Sequence, residues 1–167
     1  KIPCRKREQR KDIYRKMQMV FQSPAASFDP RRTLGDGIGE SLRNAGISGK
    51  TLDERVKELL RSCGLSEEFV RRYPHEVSGG QCQRAAIARA LAVNPKILIC
   101  DEATSALDVM AQRQILELLA SLRETRGISI LFICHNPAVV EAFCDRFLVM
   151  EQGRVIREEA VPTAAVP

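Results

Sequence analysis

The chain has 167 residues and a net charge of +5, with 44% apolar and 28% charged residues. That balance belongs to a folded globular protein and argues against wholesale disorder. No apolar run approaches the roughly 18 residues of a membrane helix, and the basic first residues lack the apolar stretch of a signal peptide.

The charge is uneven. Residues 1–32 net +7 and the remainder nets −2. The basic stretch Arg5–Lys16 reads as a solvated linker helix. A nucleic-acid-binding face would need a continuous phosphate-contacting surface, and Tyr14 is the one aromatic residue interleaved here, so no nucleic-acid partner is expected. Met17–Phe21 is a short apolar strand ending at Gln22-Ser23-Pro24. Residues 23–37 carry Ser, Asp, Pro and Gly and read as loop. A short helix is expected over 38–43. Thr51 is a plausible N-cap, with Glu54 completing a capping box. Leu52, Val56, Leu59, Leu60 and Cys63 then form an amphipathic stripe that Gly64 stops. Residues 66–72 suggest another short helix.

Ser78-Gly79-Gly80-Gln81 leads into a strong helix former, Ala85–Ala92. Ile97–Cys100 is a continuous apolar strand whose pattern predicts burial on both faces. A helix is expected over 109–126, with Ile115, Leu118, Leu119 and Leu122 on one face. A second apolar strand, Ile128–Cys134, ends at His135, and a helix follows at about 137–144. Gln152-Gly153 between two apolar runs predicts a hairpin. Residues 158–167 read as a frayed tail. This order implies an α/β fold with a parallel sheet, into which residues 23–77 insert a mostly helical segment.

Parallel α/β sheets place ligands beyond the C-terminal ends of their strands. Three such ends here carry Gln22, Asp101-Glu102 and His135. An Asp-Glu pair behind a buried strand suits a Mg²⁺ shell and the polarisation of an attacking water, or serves simply as a solvated helix cap. Ser78-Gly79-Gly80 before a helix suits an anion, or is an ordinary capped turn. Six cysteines (Cys4, Cys63, Cys82, Cys100, Cys134 and Cys144) show no CxxC or zinc spacing. They read as reduced thiols of a cytosolic protein.

Taken together, five segments resemble the ATP-binding cassette (ABC) ATPases, in that family's order. Val77-Ser78-Gly79-Gly80-Gln81 is similar to the signature motif. Ile97–Glu102 is similar to the Walker B strand, and Ala103–Asp108 to the D-loop. Val20-Phe21-Gln22 resembles the Q-loop, and Ile133-Cys134-His135 the switch histidine. The resemblance covers about residues 17–157. It implies a partial P-loop NTPase-like ABC ATPase core with a mostly helical insertion. Its divisions would be 1–22 (basic stub and Q-loop strand), 23–77 (helical subdomain), 78–157 (signature helix, Walker B and switch histidine) and 158–167 (tail).

The resemblance also implies roles. ATP and Mg²⁺ would be the cofactors. Gln22 would contact Mg²⁺ and the attacking water, and Asp101 would hold Mg²⁺ through water. Glu102 would be the general base, and His135 would contact the γ-phosphate. Ser78, Gly79, Gly80 and Gln81 would bind ATP held by a second subunit, with Asp108 acting across that interface. Membrane permease subunits and, indirectly, an extracytoplasmic substrate-binding protein would be partners, at the inner face of the cell membrane. Gln18–Pro24 with Ser27–Arg32 resembles the branch serving oligopeptide, dipeptide and nickel importers.

Three departures stand out. Cys82 occupies a position where the family often has Arg or Lys, which sets an oxidisable thiol at a catalytic interface. Asn136 follows the histidine where Asp is common. No G-x-x-x-x-G-K-[ST] occurs in the 167 residues, and that loop cradles the phosphates in this family. The aromatic residue that usually stacks on adenine is missing as well. Since the chain starts at Lys1, the expectation is an N-terminally truncated ATPase subunit, inactive alone. The competing expectation is a regulatory or pairing module that does not hydrolyse ATP.

Overall fold

The computed structural model describes residues 7–161; Cys4, Arg5, Lys6 and the last six residues of the expected tail lie outside them. The chain divides into two units, one ending at Ile133 and one beginning at Cys134.

The first unit is built on three parallel strands in sequence order: β1 (Met17–Val20), β2 (Ile97–Asp101) and β3 (Ser129–Ile133). Met17 pairs with Ile97 and Ile97 with Ser129, so the three strands start level. The expected basic linker is helix α1 (Arg7–Lys16), running directly into β1. Between β1 and β2 lie α2 (Leu34–Asn44), α3 (Gly49–Ser62) and α4 (Gly79–Leu91); α5 (Val109–Arg126) joins β2 to β3. Short 3-10 turns occupy Ala25–Ser27, Glu67–Arg71 and Pro74–Glu76. Leu98 and Cys100 of β2, Ile87 and Leu91 of α4, and Ile115 and Leu119 of α5 are fully buried. A second cluster, Leu34, Ile38, Leu42, Val56, Leu60 and Cys63, is buried in the helical segment.

Several expectations are corrected. Helix α2 begins at Leu34, four residues before the expected start, because Thr33 caps it: its hydroxyl oxygen accepts from the Asp36 N–H at 3.2 Å. Gly35, Gly37 and Gly39 hide this helix, since glycine disfavours helical backbone. Close approach explains two of them. A Cβ on Gly35 would lie 2.6 Å from the Val70 carbonyl oxygen, and one on Gly37 would lie 2.6 Å from the Phe28 ring. Helix α3 starts at Gly49, which takes φ +61°, with Ser48 at the N-cap. Thr51 is therefore inside the helix and forms no capping box with Glu54. The short helix expected over 66–72 is present as a 3-10 turn, Glu67–Arg71. In β2, burial alternates: Leu98 and Cys100 are buried, while Ile97 and Ile99 are half-buried. Its four-residue apolar run therefore has one fully covered face, not two.

The second unit holds α6 (Pro137–Phe143) and an antiparallel pair, β4 (Arg146–Glu151) and β5 (Arg154–Ala160). Gln152 and Gly153 both have positive φ, 47° and 75°, as a two-residue type I′ hairpin turn requires. Residues 158–160, which composition reads as tail, belong to β5.

Candidate functional site

Two strand ends of the parallel sheet meet. Gln22 follows β1, and its Nε2 donates to Glu102 Oε2 at 2.7 Å and to Ser105 Oγ at 3.3 Å. This contact joins residues 80 positions apart, and the level register of β1 and β2 produces it. Asp101 is the last residue of β2, paired with Ile133 of β3. Glu102 breaks from the strand with φ +47°. For a residue with a Cβ that region is sparsely populated and persists only where the surroundings hold it. Here the Glu102 N–H donates to the Ile133 carbonyl at 3.0 Å, and its own carbonyl accepts from the Ser105 N–H at 3.1 Å and hydroxyl at 3.0 Å. The turn aims the Glu102 carboxylate back toward Gln22 while Asp101 stays in the strand. The two adjacent carboxylates are thereby held in different positions.

The second cluster lies where α4 meets the segment after Glu102. The Ser78 hydroxyl oxygen accepts from the Gln81 N–H at 3.3 Å, and the Gln81 side-chain oxygen accepts from the Ser78 N–H at 3.0 Å. This reciprocal capping box fixes the entry to α4. The turn is seated on its neighbours: a Cβ on Gly79 would lie 3.5 Å from Leu107, and one on Gly80 would lie 3.2 Å from Ala111. Asp108 caps α5, its carboxylate accepting from the Ala111 N–H at 2.9 Å. Ser78, Gly79, Gly80, Gln81 and Asp108 thus form one neighbourhood, and Gln22, Glu102 and Ser105 another. Residues 105–108 run between them. His135 belongs to the second unit and is exposed. Beside it, Asn136 accepts from the Ala138 N–H at 3.1 Å and caps α6, so the departure from Asp keeps a capping side chain.

The expectation for Cys82 is corrected. Its side chain is buried among the helices, and burial pushes the thiol pKa up against the weaker opposing pull of Arg89. Reactive cysteines are thiolates in open, electropositive settings, and this one is neither. Burial likewise raises Cys63 to about 11 and Cys100 to about 12. The five described cysteines are all unbridged.

Other contributors are not among the expected site residues, although Ser105 lies in the D-loop-like segment Ala103–Asp108. Ser105 is the partner both Gln22 and Glu102 use. Arg84 donates to the Cys63 carbonyl at 3.2 Å and to Gln114 Oε1 at 3.0 Å, pinning α4 to the end of α3 and to α5. Gln83 is 1% exposed, and neither atom of its amide has a protein partner.

The donor set fits a hard divalent cation. Among the described residues no cluster of three or more His, Cys, Asp or Glu stands ready for a metal. Mg²⁺, however, is commonly held by one or two carboxylates together with phosphate oxygens and water, and Asp101, Glu102 and the Gln22 amide supply oxygen donors of that kind. The signature turn offers the N-terminus of a 13-residue helix, which favours an anion.

An ABC transporter family model matches residues 2–105. The oligopeptide transport ATP-binding protein OppF of Salmonella typhimurium is 48% identical over 152 residues, which cover 90% of this chain and 44% of that protein. The glutathione import ATP-binding protein GsiA of Escherichia coli K12 is 52% identical over 155 residues, which cover 92% of this chain and 25% of that protein. The chain thus spans less than half the length of these curated relatives. Among solved structures, the ATP-binding cassette MJ0796, a dimer in a post-hydrolysis state bound to ADP and Pi, superposes with a TM-score of 0.80 at 34% identity. That match covers 92% of this chain and 66% of that one. The Clostridium perfringens protein cbiO1, part of the ABC transporter complex cbiONQ, gives a TM-score of 0.84 at 30% identity and covers 94% and 61%.

Proposed function

The chain belongs to the ABC transporter ATPase family, and on that premise we propose that it forms the catalytic-carboxylate edge and signature turn of an importer's ATP-hydrolysing subunit. The observation that carries this reading is the 2.7 Å hydrogen bond between Gln22 and Glu102. It sets an amide and a carboxylate side by side at the sheet edge where such folds place ligands.

The family resemblance, with the Gln22–Glu102 contact beside it, supports the following roles. Glu102, turned out of the strand and oriented by Gln22, accepts a proton from the attacking water. Asp101, held in β2, would hold Mg²⁺, which when bound would neutralise phosphate charge. Gln22 positions the water and senses whether the edge is occupied. Ser78, Gly79, Gly80 and Gln81 meet the ATP of a second subunit, with Asp108 beside them. For His135, in the second unit, the family resemblance supports a role as a γ-phosphate contact. The phosphate cradle is supplied by a G-x-x-x-x-G-K-[ST] segment outside these 167 residues. The helical segment 23–77 docks on the permease and couples through Gln22. This places the subunit at the cytoplasmic membrane face, fed by an external binding protein. The described residues contain no helix long and apolar enough to cross a membrane. The peptide and glutathione names of the relatives support short peptides over nickel as cargo.

The test joins this chain to a family phosphate-loop segment. Turnover by the joined protein is expected to fall on the order of 10²- to 10⁴-fold in Glu102→Gln, the range for losing a general base, with the variant trapped as an ATP-bound dimer. A monomeric Glu102→Gln protein in ATP would overturn the two-subunit reading. The 167 residues alone are expected to show no turnover that depends on Glu102; brisk hydrolysis lost in Glu102→Gln would sink the proposed need for the loop.

A further inference from the structure

We infer that Arg89 is a positioning residue that ties the loop after Gln22 to the signature helix, so that the two ATP-facing edges of one subunit move together. The inference rests on the functional reading above.

The tether is visible in three contacts. The Arg89 Nη1 donates to the Ser27 carbonyl. Its guanidinium carbon lies 4.6 Å from the centroid of the Phe28 ring. Phe28 is buried and abuts Gly37 of α2 so closely that no Cβ would fit between them. The loop it grips is itself stiff. The Ser27 hydroxyl donates to the Pro24 carbonyl at 2.6 Å, the Ser27 N–H donates to the same oxygen at 3.1 Å, and the Phe28 N–H donates to the Ala25 carbonyl at 3.2 Å. This compact turn begins two residues after Gln22, which is bonded to Glu102. At the other end of α4, about 15 Å away at 1.5 Å per residue, sit Ser78, Gly79 and Gly80.

The chemistry of the contact is specific to arginine. Its planar fork donates to a carbonyl while its face stacks on a ring, a pairing that a lysine ammonium does not reproduce. Arg89 is half-buried and, among the described residues, makes no ion pair with a carboxylate. Burial lowers its pKa, with Glu40 pulling the other way at longer range. An apolar side chain would fill this site without desolvating a charge. The gain from arginine is the hold on Ser27 and Phe28. Since Gln22 faces the ATP of its own subunit and Ser78 that of the partner, the tether couples the two sites, and such coupling is reciprocal.

Two measurements test it. In the 167-residue chain, Arg89→Lys should speed amide exchange at Ser27 and Phe28 about tenfold or more relative to wild type; unchanged exchange overturns the tether. In the chain joined to a phosphate-loop segment, the Hill coefficient for ATP should fall from above one to about one in Arg89→Lys. Phe28→Leu, which keeps the apolar packing, should move it in the same direction, with kcat within about threefold of wild type. A merely structural arginine would change thermal stability and leave the Hill coefficient in place, and that result, or a wild type with no cooperativity, overturns the coupling. A joined protein without any turnover would instead count against the functional reading, and the exchange measurement would still decide the tether.

Discussion

Helix α4 and the β4–β5 hairpin are similar in length and opposite in construction. Eight of the thirteen α4 residues are buried, from Cys82 to Leu91, whereas every residue of β5 is exposed. The helix sits between the sheet, α5 and the helical segment, and its hold on them is non-local: Arg84 reaches Cys63 and Gln114, and Arg89 reaches Ser27. The hairpin is held by neighbours in sequence. Its turn residues supply the positive φ angles, and its ion pairs run between Arg146 and Glu158 and between Arg157 and Glu159. The difference shows where precision is available. The signature turn, Gly80 against Ala111, and the Arg89 tether all depend on the element that burial fixes in one place. A site needing sub-ångström placement belongs on such an element.

If burial is what separates the two regions, the largest effect comes from removing it. Ile87→Ala deletes a fully buried side chain from α4 and is expected to cost about 2–5 kcal/mol, transfer and cavity terms together, measured by urea unfolding of the 167-residue chain. A loss under about 1 kcal/mol, as is usual for exposed positions, would erase the contrast. The next effect has the opposite sign. Gln83→Leu replaces a buried amide without protein partners by a side chain of similar size. Relieving an unmet desolvation cost of about 1–3 kcal/mol should raise the urea midpoint with the slope unchanged. A fall in the midpoint would show that the amide is satisfied in solution.

Much of this contrast is readable in sequence, and the parts that are not have physical reasons. The hairpin is legible because its turn chemistry is local: Gln152-Gly153 alone demands the turn. The β2 strand and the Ser78 cap are legible for the same reason. Helix α2 is not, since Gly35 and Gly37 are chosen by Val70 and Phe28, residues distant in sequence, and those contacts override helix propensity. Thr51 looks like a cap because a capping pattern recurs by chance inside a helix that begins earlier, at Gly49. The Gln22–Glu102 pair is legible as chemistry but not as contact; it needs the parallel register to bring two strand ends together. Arg89 has no motif of its own, because its importance lies in the backbone carbonyl it reaches; Ser105 lies in the D-loop-like segment, but that segment does not show that Gln22 will meet it. The buried state of Cys82 is likewise hidden, since a position beside the signature turn says nothing about which way the side chain faces.

The smallest effect is expected where the hairpin is charged. Arg157 donates through Nε and Nη2 to the Glu159 carboxylate. That hydrogen bonding, followed by Coulomb attraction, holds the Glu159 carboxyl below the ordinary glutamate range. A carboxylate whose folded pKa is depressed contributes stability above its unfolded value, about 4.3 for glutamate. The contribution fades as the pH falls through the folded value. Both side chains face water, so solvent and salt screen the pair. Glu159→Gln should therefore leave the thermal midpoint at pH 7 nearly unchanged. Any small difference from wild type should vanish in acid and in about 1 M salt, where the screening length shrinks to about 3 Å. The Ile87→Ala deficit, which comes from apolar burial, should persist under both conditions. A Glu159→Gln deficit that matched Ile87→Ala and survived salt would mean that the hairpin is held by more than its own strand contacts, and the comparison between the two regions would fail.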